Sequence, residues 1–237
     1  MAEAHNSLAL FDQILVDNKS LTILRGDKIA GGLKKLALLR YLPLLNHHHF
    51  AYAGTVFGSG GWAVAHACAD LKLDCTLYLS KSTYSPPWLD DVTQTGATIN
   101  WQDPLPVADI HQTITTQYPH LYNLPLGFDD EKFIVNIASV LAEICPTPSP
   151  EIWLPALSGT LARSASMAFP SSIIHAVSAV KHHGDCGRAI IHDAPDKFYH
   201  MAKLPPPYPS CPFSCGKVWS VAKELASPKA MIINVSS

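Results

Sequence analysis

A pair of lysines directly after a pair of glycines is the first segment that could do chemistry. Gly31 and Gly32 precede Lys34 and Lys35 at the start of a predicted helix. Glycine lets the backbone approach a ligand, and a partly buried lysine loses proton affinity and becomes a nucleophile. Because successive helix positions point about 100° apart, only one of the two amines can face a bound molecule. Taken alone, the segment also fits a helix start with two solvated lysines.

The second segment is a glycine turn between a predicted strand and a predicted helix, Gly58-Ser59-Gly60-Gly61-Trp62. Free backbone N–H groups and the helix dipole make such a turn a site for an anion, either a carboxylate or a phosphate. A plain tight turn is the alternative for an isolated glycine cluster. The spacing fits neither the dinucleotide fingerprint G-x-G-x-x-G nor the phosphate loop G-x-x-x-x-G-K-[ST], which argues against a nucleotide-binding domain.

The third segment, Ser158-Gly159-Thr160, again follows a predicted strand and opens a predicted helix. Two hydroxyls and several free amides at a helix start can hold a phosphate without a cation. Either hydroxyl is also an ordinary helix cap, so the segment by itself is ambiguous. Open α/β sheets place their ligands at strand ends, where all three segments are predicted to lie. A candidate amine, a carboxylate turn and a phosphate turn therefore follow one another along a single chain.

This order resembles the tryptophan-synthase-β-like (fold type II) family of pyridoxal-phosphate enzymes, especially the branch of aminocyclopropane-carboxylate deaminase and D-cysteine desulfhydrase. Gly31-Gly32-Leu33-Lys34 is similar to the Gly-Gly-Asn-Lys segment of that branch. Ser59-Gly60-Gly61-Trp62-Ala63 takes the place of Ser-Gly-Asn-His-Gly in relatives of the branch. Leu157-Ser158-Gly159-Thr160 is similar to a shortened Gly-Ser-Gly-Gly-Thr-type phosphate loop. The resemblance runs from about Leu21 to Phe169, and only the combined order of its motifs is specific.

The resemblance implies a pyridoxal-phosphate-dependent lyase or deaminase that acts on a small amino acid by β-elimination, β-replacement or deamination. Lys34 would bind the cofactor and then move the Cα proton of the substrate. The substrate carboxylate would be held by Ser59, Gly60, Gly61 and Trp62, and the Ser59 hydroxyl would also assist proton movement. The phosphate would be held by Ser158, Gly159 and Thr160.

Two departures from the family pattern favour an alternative, a catalytically silent relative that binds pyridoxal phosphate, another phosphorylated small molecule or a protein partner. Gly61 stands where the family usually has an asparagine that contacts the ring oxygen of the cofactor. The chain is also shorter than typical members, and Ser210 is the candidate for the partner of the pyridine nitrogen.

A zinc site is a different chemistry that the sequence offers. Its ligands would come from Cys186, His192, His200, Cys211 and Cys215. Because these residues include no second close pair, we expect no metal. The run His47–His49 precedes a strand, where neighbouring side chains point to opposite faces, so it is expected to form a surface patch. A hydrolase nucleophile is not indicated either, since the sequence lacks G-x-S-x-G.

Short β-rich runs alternate with helical runs, which is typical of parallel sheets flanked by helices. Residues 50–101 predict a compact βαβαβ unit, from which a proline-spotted passage, Pro104 to Pro125, leads out. We therefore expect an α/β fold of two lobes, each a mostly parallel sheet flanked by helices, as a shortened tryptophan-synthase-β-like fold. The larger lobe would comprise residues 1–45 and 128–237, with the cofactor lysine and the phosphate loop. The smaller lobe would comprise residues 46–127, with the carboxylate turn.

Composition narrows the possible partners and the compartment. Of the 237 residues, 48% are apolar and 15% are charged, and the net charge is −2. The low charged fraction favours a homodimer that covers part of the surface. Nucleic acid is an unexpected partner because no stretch is strongly basic, and no run approaches the roughly 18 apolar residues of a membrane span. Six scattered cysteines and a start unlike a secretory signal predict a cytoplasmic protein with reduced thiols.

Overall fold

A computed structural model gives the fold, and the structure describes residues 10–181 and 183–237. The chain divides into two compact units. Unit 1 comprises Met1–Ile29 and Ile137–Ser237, and unit 2 comprises Ala30–Asn136. Each unit is built on a mostly parallel sheet flanked by helices. The predicted α/β class and its two sheets are therefore confirmed.

Strands and helices alternate along most of the chain. In order they are β1 (Phe11–Val16), β2 (Lys19–Arg25), α1 (Gly32–Tyr41), β3 (His49–Thr55), α2 (Gly60–Leu71), β4 (Asp74–Ser80), α3 (Trp88–Gln94), β5 (Thr98–Gln102), α4 (Val107–Gln117), β6 (Tyr122–Asn123), α5 (Glu131–Ile144), β7 (Glu151–Ala156), α6 (Thr160–Ala168), β8 (Ile173–Ser178), β9 (Ile190–Asp193), α7 (Cys215–Leu225) and β10 (Met231–Asn234). Helix α5 runs across the boundary between the two units. Within residues 10–181 and 183–237, no helix combines the length and the apolar character that crossing a membrane requires.

The strands of unit 1 form a sheet in the order β1-β2-β10-β7-β8-β9. β1 is antiparallel to β2, and the other neighbouring strands are parallel. Helix α7 covers one face, where Val218 and Trp219 pack in a buried cluster with Ile23, Trp153 and Ile232. Parallel strands end at the same edge of a sheet, so the segments that follow β2, β7, β8 and β10 lie along one edge of unit 1.

The hairpin of β1 and β2 was not predicted in full, although its turn carries a signal. Asp17 and Asn18 join the two strands with φ angles of 48° and 62°. A tight hairpin turn needs positive φ at both central residues, and aspartate and asparagine tolerate that conformation better than most side chains. Strand β1 lies at the sheet edge, and its Leu15 is 77% exposed. Because the exposed Leu15 is apolar, the sequence of β1 lacks the alternation of apolar and polar residues that marks a strand.

The strands of unit 2 form a parallel sheet in the order β5-β4-β3-β6. Helices α1 and α2 pack against each other, and α2 also packs on β3 and β4. On the other side, Ile110 and Ile114 of α4 pack against Ala51 and Ala53 of β3. Helix α4 lies inside the proline-spotted passage that the sequence interpretation left without an element. Only Ile110 and Ile114 of this helix are fully buried, so its apolar stripe is narrow. The helical pattern was therefore missed in the sequence.

The division between the units differs from the predicted lobes in two segments. Residues 30–45 and 128–136 were expected in the larger lobe, but they belong to unit 2. Helix α1 packs on α2, and Phe128 stacks on Tyr52 of β3, which ties both segments to the smaller sheet. Lys34 therefore shares a unit with the Gly58–Trp62 turn, whereas Ser158–Thr160 lies in unit 1.

A stack of aromatic side chains lies across β7, β8 and β9 of unit 1. The rings of Trp153 and His175 are 4.2 Å apart and nearly parallel, at 7°. His175 Nδ1 lies 2.9 Å from His192 Nε2, so one imidazole donates a hydrogen bond and the other accepts it. Burial lowers the pKa of both histidines, and for His175 the charge of Glu151 opposes that shift while His192 adds to it. The fold therefore favours the neutral rings.

We expect the free energy of unfolding to decrease as the pH falls below about 6.5, the ordinary pKa of histidine. Since the folded-state pKa values lie below the unfolded ones, the unfolded chain binds more protons in this window, and stability rises with pH. Urea unfolding on both sides of that pH measures the effect. His192→Asn should flatten the dependence, and His200→Asn, at an exposed histidine, is the control. An identical dependence in wild type and His192→Asn would contradict the assignment.

Candidate functional site

Lys34 lies near the start of α1, at a point where the backbone requires glycine. Gly31 precedes the helix with a φ of 82°, a conformation that other residues rarely adopt. A Cβ built on Gly31 would also lie only 2.8 Å from the Cβ of His66, because α1 is pressed against α2. The Lys34 side chain is half-buried, and its Nζ lies 5.6 Å from the centroid of the Phe128 ring. The amine therefore lies over an aromatic wall within unit 2.

Lys35, the rival of Lys34, has a different partner. Its Nζ lies 2.7 Å from Asp70 Oδ2, in an ion pair that joins α1 to α2. The two adjacent lysines thus point in different directions, as the helix geometry requires. Lys35 is therefore engaged by Asp70, and Lys34 stays the predicted nucleophile.

The glycine turn connects β3 to α2, and Gly60 is the first residue of the helix. The first amides of a helix have no carbonyl partner one turn earlier, so Gly60, Gly61 and Trp62 present N–H groups here. Ser59 stands at the capping position, but its side chain makes no capping hydrogen bond. A hydroxyl and several amides are therefore available at one turn, which suits a carboxylate.

Gly61 faces the sheet. A Cβ built on it would lie 3.3 Å from Leu77 Cδ1, so a side chain at this position would require the Leu77 side chain of β4 to shift. This contact gives a packing reason for glycine where the resembling family has asparagine.

The start of α2 is fixed by a carboxylate from α3. Asp91 Oδ2 accepts hydrogen bonds from Trp62 Nε1 and His66 Nε2, both at 2.7 Å. Burial raises the pKa of Asp91, but the two hydrogen bonds outweigh it and leave the pKa below its ordinary value. Asp91 thereby fixes the first two turns of α2, and the indole N–H of Trp62 is used in the hydrogen bond to Asp91. Sequence reasoning did not find this residue, since nothing in the sequence links position 91 to position 62.

A stacked pair of rings connects Lys34 with the glycine turn. Tyr52 and Phe128 lie 5.1 Å apart at 18°, and Lys34 Nζ lies over Phe128. At the other end, the Tyr52 hydroxyl fills the space that a Cβ on Gly60 would need, and its Cζ lies 2.5 Å from that position. Two of the three predicted segments are thus brought to the same aromatic pair within unit 2.

The third segment opens helix α6 in unit 1. Gly159 has a φ of 80°, and Ser158 Oγ lies 3.0 Å from Thr160 Oγ1. A Cβ on Gly159 would overlap the backbone carbonyl of Asp185, and Gly184 N donates to Leu157 O at 2.9 Å. The turn is therefore packed against the 184–186 loop and accepts only glycine at its centre. Its hydroxyls and the first amides of α6 match the chemistry of a phosphate.

Ser210 belongs to a polar network at the ends of β2 and β10. Its hydroxyl donates to Asn234 Oδ1 at 2.9 Å, and Asn234 Nδ2 donates to Asp27 Oδ1 at 2.6 Å. Asp27 also forms an ion pair with Arg25 at 2.6 Å, and Arg25 forms another with Asp12. The signal for this network is polar residues at the ends of buried strands, since Asn234 is almost fully buried.

Two of the residues that were weighed as zinc ligands, Cys186 and His192, have other neighbours. Cys186 Sγ lies 3.7 Å from His183 Nδ1, and His192 pairs with His175. Over residues 10–181 and 183–237, no three histidine, cysteine, aspartate or glutamate side chains are grouped so that they could hold a metal ion.

No family model and no curated protein matches the chain by sequence. Solved structures do match it. An ACC deaminase homologue superimposes with a TM-score of 0.75 at 14% identity, over 92% of this chain and 84% of its own. The chain has the tryptophan-synthase-β-like fold. The resemblance predicted from the motifs is therefore confirmed for the fold.

Two further structures share this tryptophan-synthase-β-like fold. Diaminopropionate ammonia lyase from Escherichia coli, in complex with an aminoacrylate-PLP azomethine reaction intermediate, matches with a TM-score of 0.67 at 14% identity. That match covers 100% of this chain and 85% of the lyase. Serine racemase from Dictyostelium discoideum matches with a TM-score of 0.62 at 14% identity, over 92% of this chain and 87% of its own.

Proposed function

We propose that the protein is a pyridoxal-phosphate-dependent lyase or deaminase that acts on a small amino acid. The observation that carries the proposal is the position of Lys34, whose Nζ lies over the aromatic pair that also contacts the glycine turn at Gly60. A nucleophilic amine beside a carboxylate turn is the arrangement that amino-acid chemistry of this kind needs. Structures described as a deaminase homologue and an ammonia lyase share the fold, which supports the same reaction class.

The residues present fit the cofactor. Lys34 would hold it through its ε-amine, and Ser158, Gly159 and Thr160 would hold the phosphate. Their two hydroxyls and the amides at the start of α6 match a dianion without a cation. When bound, pyridoxal phosphate supplies an electron sink for negative charge at the substrate Cα.

Ser210 suits the partner of a protonated ring nitrogen. Its own proton is donated to Asn234, so the hydroxyl oxygen retains lone pairs that accept from an N–H group. The network through Asn234 and Asp27 would hold that oxygen in place.

The substrate is handled by residues of unit 2. Ser59 and the amides of Gly60, Gly61 and Trp62 would orient the carboxylate, and Asp91 would keep this turn in register through Trp62. The Lys34 amine would take the Cα proton of the substrate and return a proton later. Dimerisation and a cytoplasmic location stay predictions from composition.

A screen of small amino acids against the cofactor-loaded protein tests this function. We expect at least one of serine, cysteine, threonine or diaminopropionate, in L or D form, to release ammonia and a 2-oxo acid. Lys34→Ala should lower that rate by about a hundredfold to ten-thousandfold, the contribution of a positioned general base. Coupled assays for ammonia and for 2-oxo acids give the measurement.

The same screen distinguishes the lyase or deaminase from the alternative function. Cofactor binding without turnover of any amino acid would support a catalytically silent relative, for which the glycine at position 61 is the motivating departure. No cofactor binding at all would contradict the lyase and would leave only a relative that binds another phosphorylated small molecule or a protein partner.

A further inference from the structure

The Tyr52 side chain in unit 2 passes close to two glycines, Gly54 and Gly60, and a side chain at either position would collide with it. Tyr52 is the middle residue of β3. Its ring extends over Gly54, where a Cβ would lie 2.8 Å from Tyr52 Cε1. The hydroxyl then reaches Gly60, where a Cβ would overlap the oxygen atom and lie 2.5 Å from Cζ. Glycine weakens the interior of a strand, so a strand glycine often marks a close approach that other residues forbid. Both positions are glycine here, and the same phenol occupies the space at each.

The phenol ends at the glycine turn, and its ring stacks on the Phe128 ring over which the lysine amine lies. The Tyr52 ring is stacked on Phe128 at 5.1 Å, and Lys34 Nζ lies over the Phe128 ring. The hydroxyl adjoins Gly60, the first residue of α2, where helix amides lack carbonyl partners. The Tyr52 hydroxyl is thus a third polar feature of this part of unit 2, besides the lysine amine and the turn.

The hydroxyl has hydrogen-bonding capacity that the protein does not use. Between the described residues it forms no hydrogen bond, and burial alone raises the pKa of Tyr52 to about 12. It is therefore protonated at neutral pH and acts as a donor. The Tyr52 side chain is 8% exposed, so its hydroxyl can donate to an anionic oxygen bound at the turn, and a hydrogen bond to a charged acceptor is strong.

We propose that Tyr52 donates a hydrogen bond to an anionic oxygen of the molecule bound at the Gly58–Trp62 turn. The oxygen is either the phenolate of the cofactor ring or the carboxylate of the amino acid. The inference rests on the proposed function and adds a binding residue to it. Glycine at position 60 is then required because a side chain there would displace the donor.

Tyr52→Phe tests the proposal, because it removes the hydroxyl and keeps the stacked ring. The dissociation constant of pyridoxal phosphate is measured by absorbance titration, and that of the amino acid by the spectral change it causes in the loaded protein. One of the two constants should rise about tenfold to a hundredfold, as expected for a hydrogen bond to a charged group. Tyr78→Phe is the control, since Tyr78 is buried on the neighbouring strand and packs near Ala53 and Ile110. It should leave both constants unchanged.

The two dissociation constants show which molecule supplies the oxygen that accepts the hydrogen bond. A weaker cofactor constant identifies the ring phenolate, and a weaker amino-acid constant with unchanged cofactor binding identifies the carboxylate. If wild type and Tyr52→Phe have equal constants for both ligands, the role of Tyr52 is refuted while the proposed function stands. If wild type binds no cofactor, both fail together.

Gly60→Ala is an independent variant for the same contact. The added methyl group overlaps the hydroxyl, so the ring must move away from the turn. We expect the same ligand constant to weaken as in Tyr52→Phe, and Tyr52→Val/Gly60→Ala to regain thermal stability relative to Gly60→Ala. Wild-type binding in Gly60→Ala would overturn the proposal.

Discussion

Lys34→Ala is expected to abolish the visible absorbance that pyridoxal phosphate acquires when it attaches covalently to the protein. The reason is that the remaining lysine of the pair, Lys35, is held by Asp70 in an ion pair with a separation of 2.7 Å. An amine that is engaged in this way, and that points about 100° away along the helix, cannot take over the attachment. Spectra recorded during a titration with pyridoxal phosphate measure the effect.

Lys35→Ala is the matched control for this prediction. It removes a lysine from the same helix turn and breaks the contact with Asp70, but it leaves Lys34 over Phe128. We expect its absorbance to match that of wild type. A band that persists in Lys34→Ala and disappears in Lys35→Ala would reverse the assignment of the two lysines.

Gly159→Ala is expected to cost at least about 2 kcal/mol in the free energy of unfolding and to prevent tight binding of the phosphate. Two physical effects combine at this position. The φ of 80° is strained for alanine, and the new Cβ would overlap the carbonyl oxygen of Asp185, a backbone atom that cannot rotate away. Chemical denaturation and cofactor titration of the same variant measure the two consequences.

Two other glycines separate the effects. Gly96 has a φ of 81° with open space around a Cβ, so Gly96→Ala should show strain alone, about 1 kcal/mol. Gly58 has neither a positive φ nor a neighbour within 4 Å, and Gly58→Ala should change stability by less than about 0.5 kcal/mol. Equal destabilisation in all three variants would show that the Asp185 contact is not what restricts position 159.

The fold was predictable wherever a strand or helix is buried enough to impose its period on the sequence. The β3-α2-β4-α3-β5 succession and the glycine-started helix α1 are examples, and the turns between them carried the site motifs. The edge strand β1 and the mostly exposed helix α4 were missed because few of their positions are buried. The lobe boundary was misplaced because it depends on what α1 and Phe128 pack against, which no local pattern states.

The candidate site was predictable where glycine marks it. Position, spacing and the family resemblance indicated Lys34, Ser59 and the 158–160 turn, and the Asp70 contact of Lys35 supports the choice of Lys34 over Lys35. Tyr52 and Asp91 were missed because their contacts with Phe128 and Trp62 join residues that are distant in sequence. The sequence does carry a signal for Tyr52, because glycines follow it at positions 54 and 60, on β3 and on the adjoining turn. That both glycines make room for the same ring is visible only in the three-dimensional structure.

The most direct test of the central claim is borohydride reduction of the protein after incubation with pyridoxal phosphate, followed by peptide mapping. The account predicts one reduced pyridoxyl group, on Lys34, with Lys35 unmodified in the same peptide region. Modification spread over several surface lysines, or confined to any lysine other than Lys34, would contradict it.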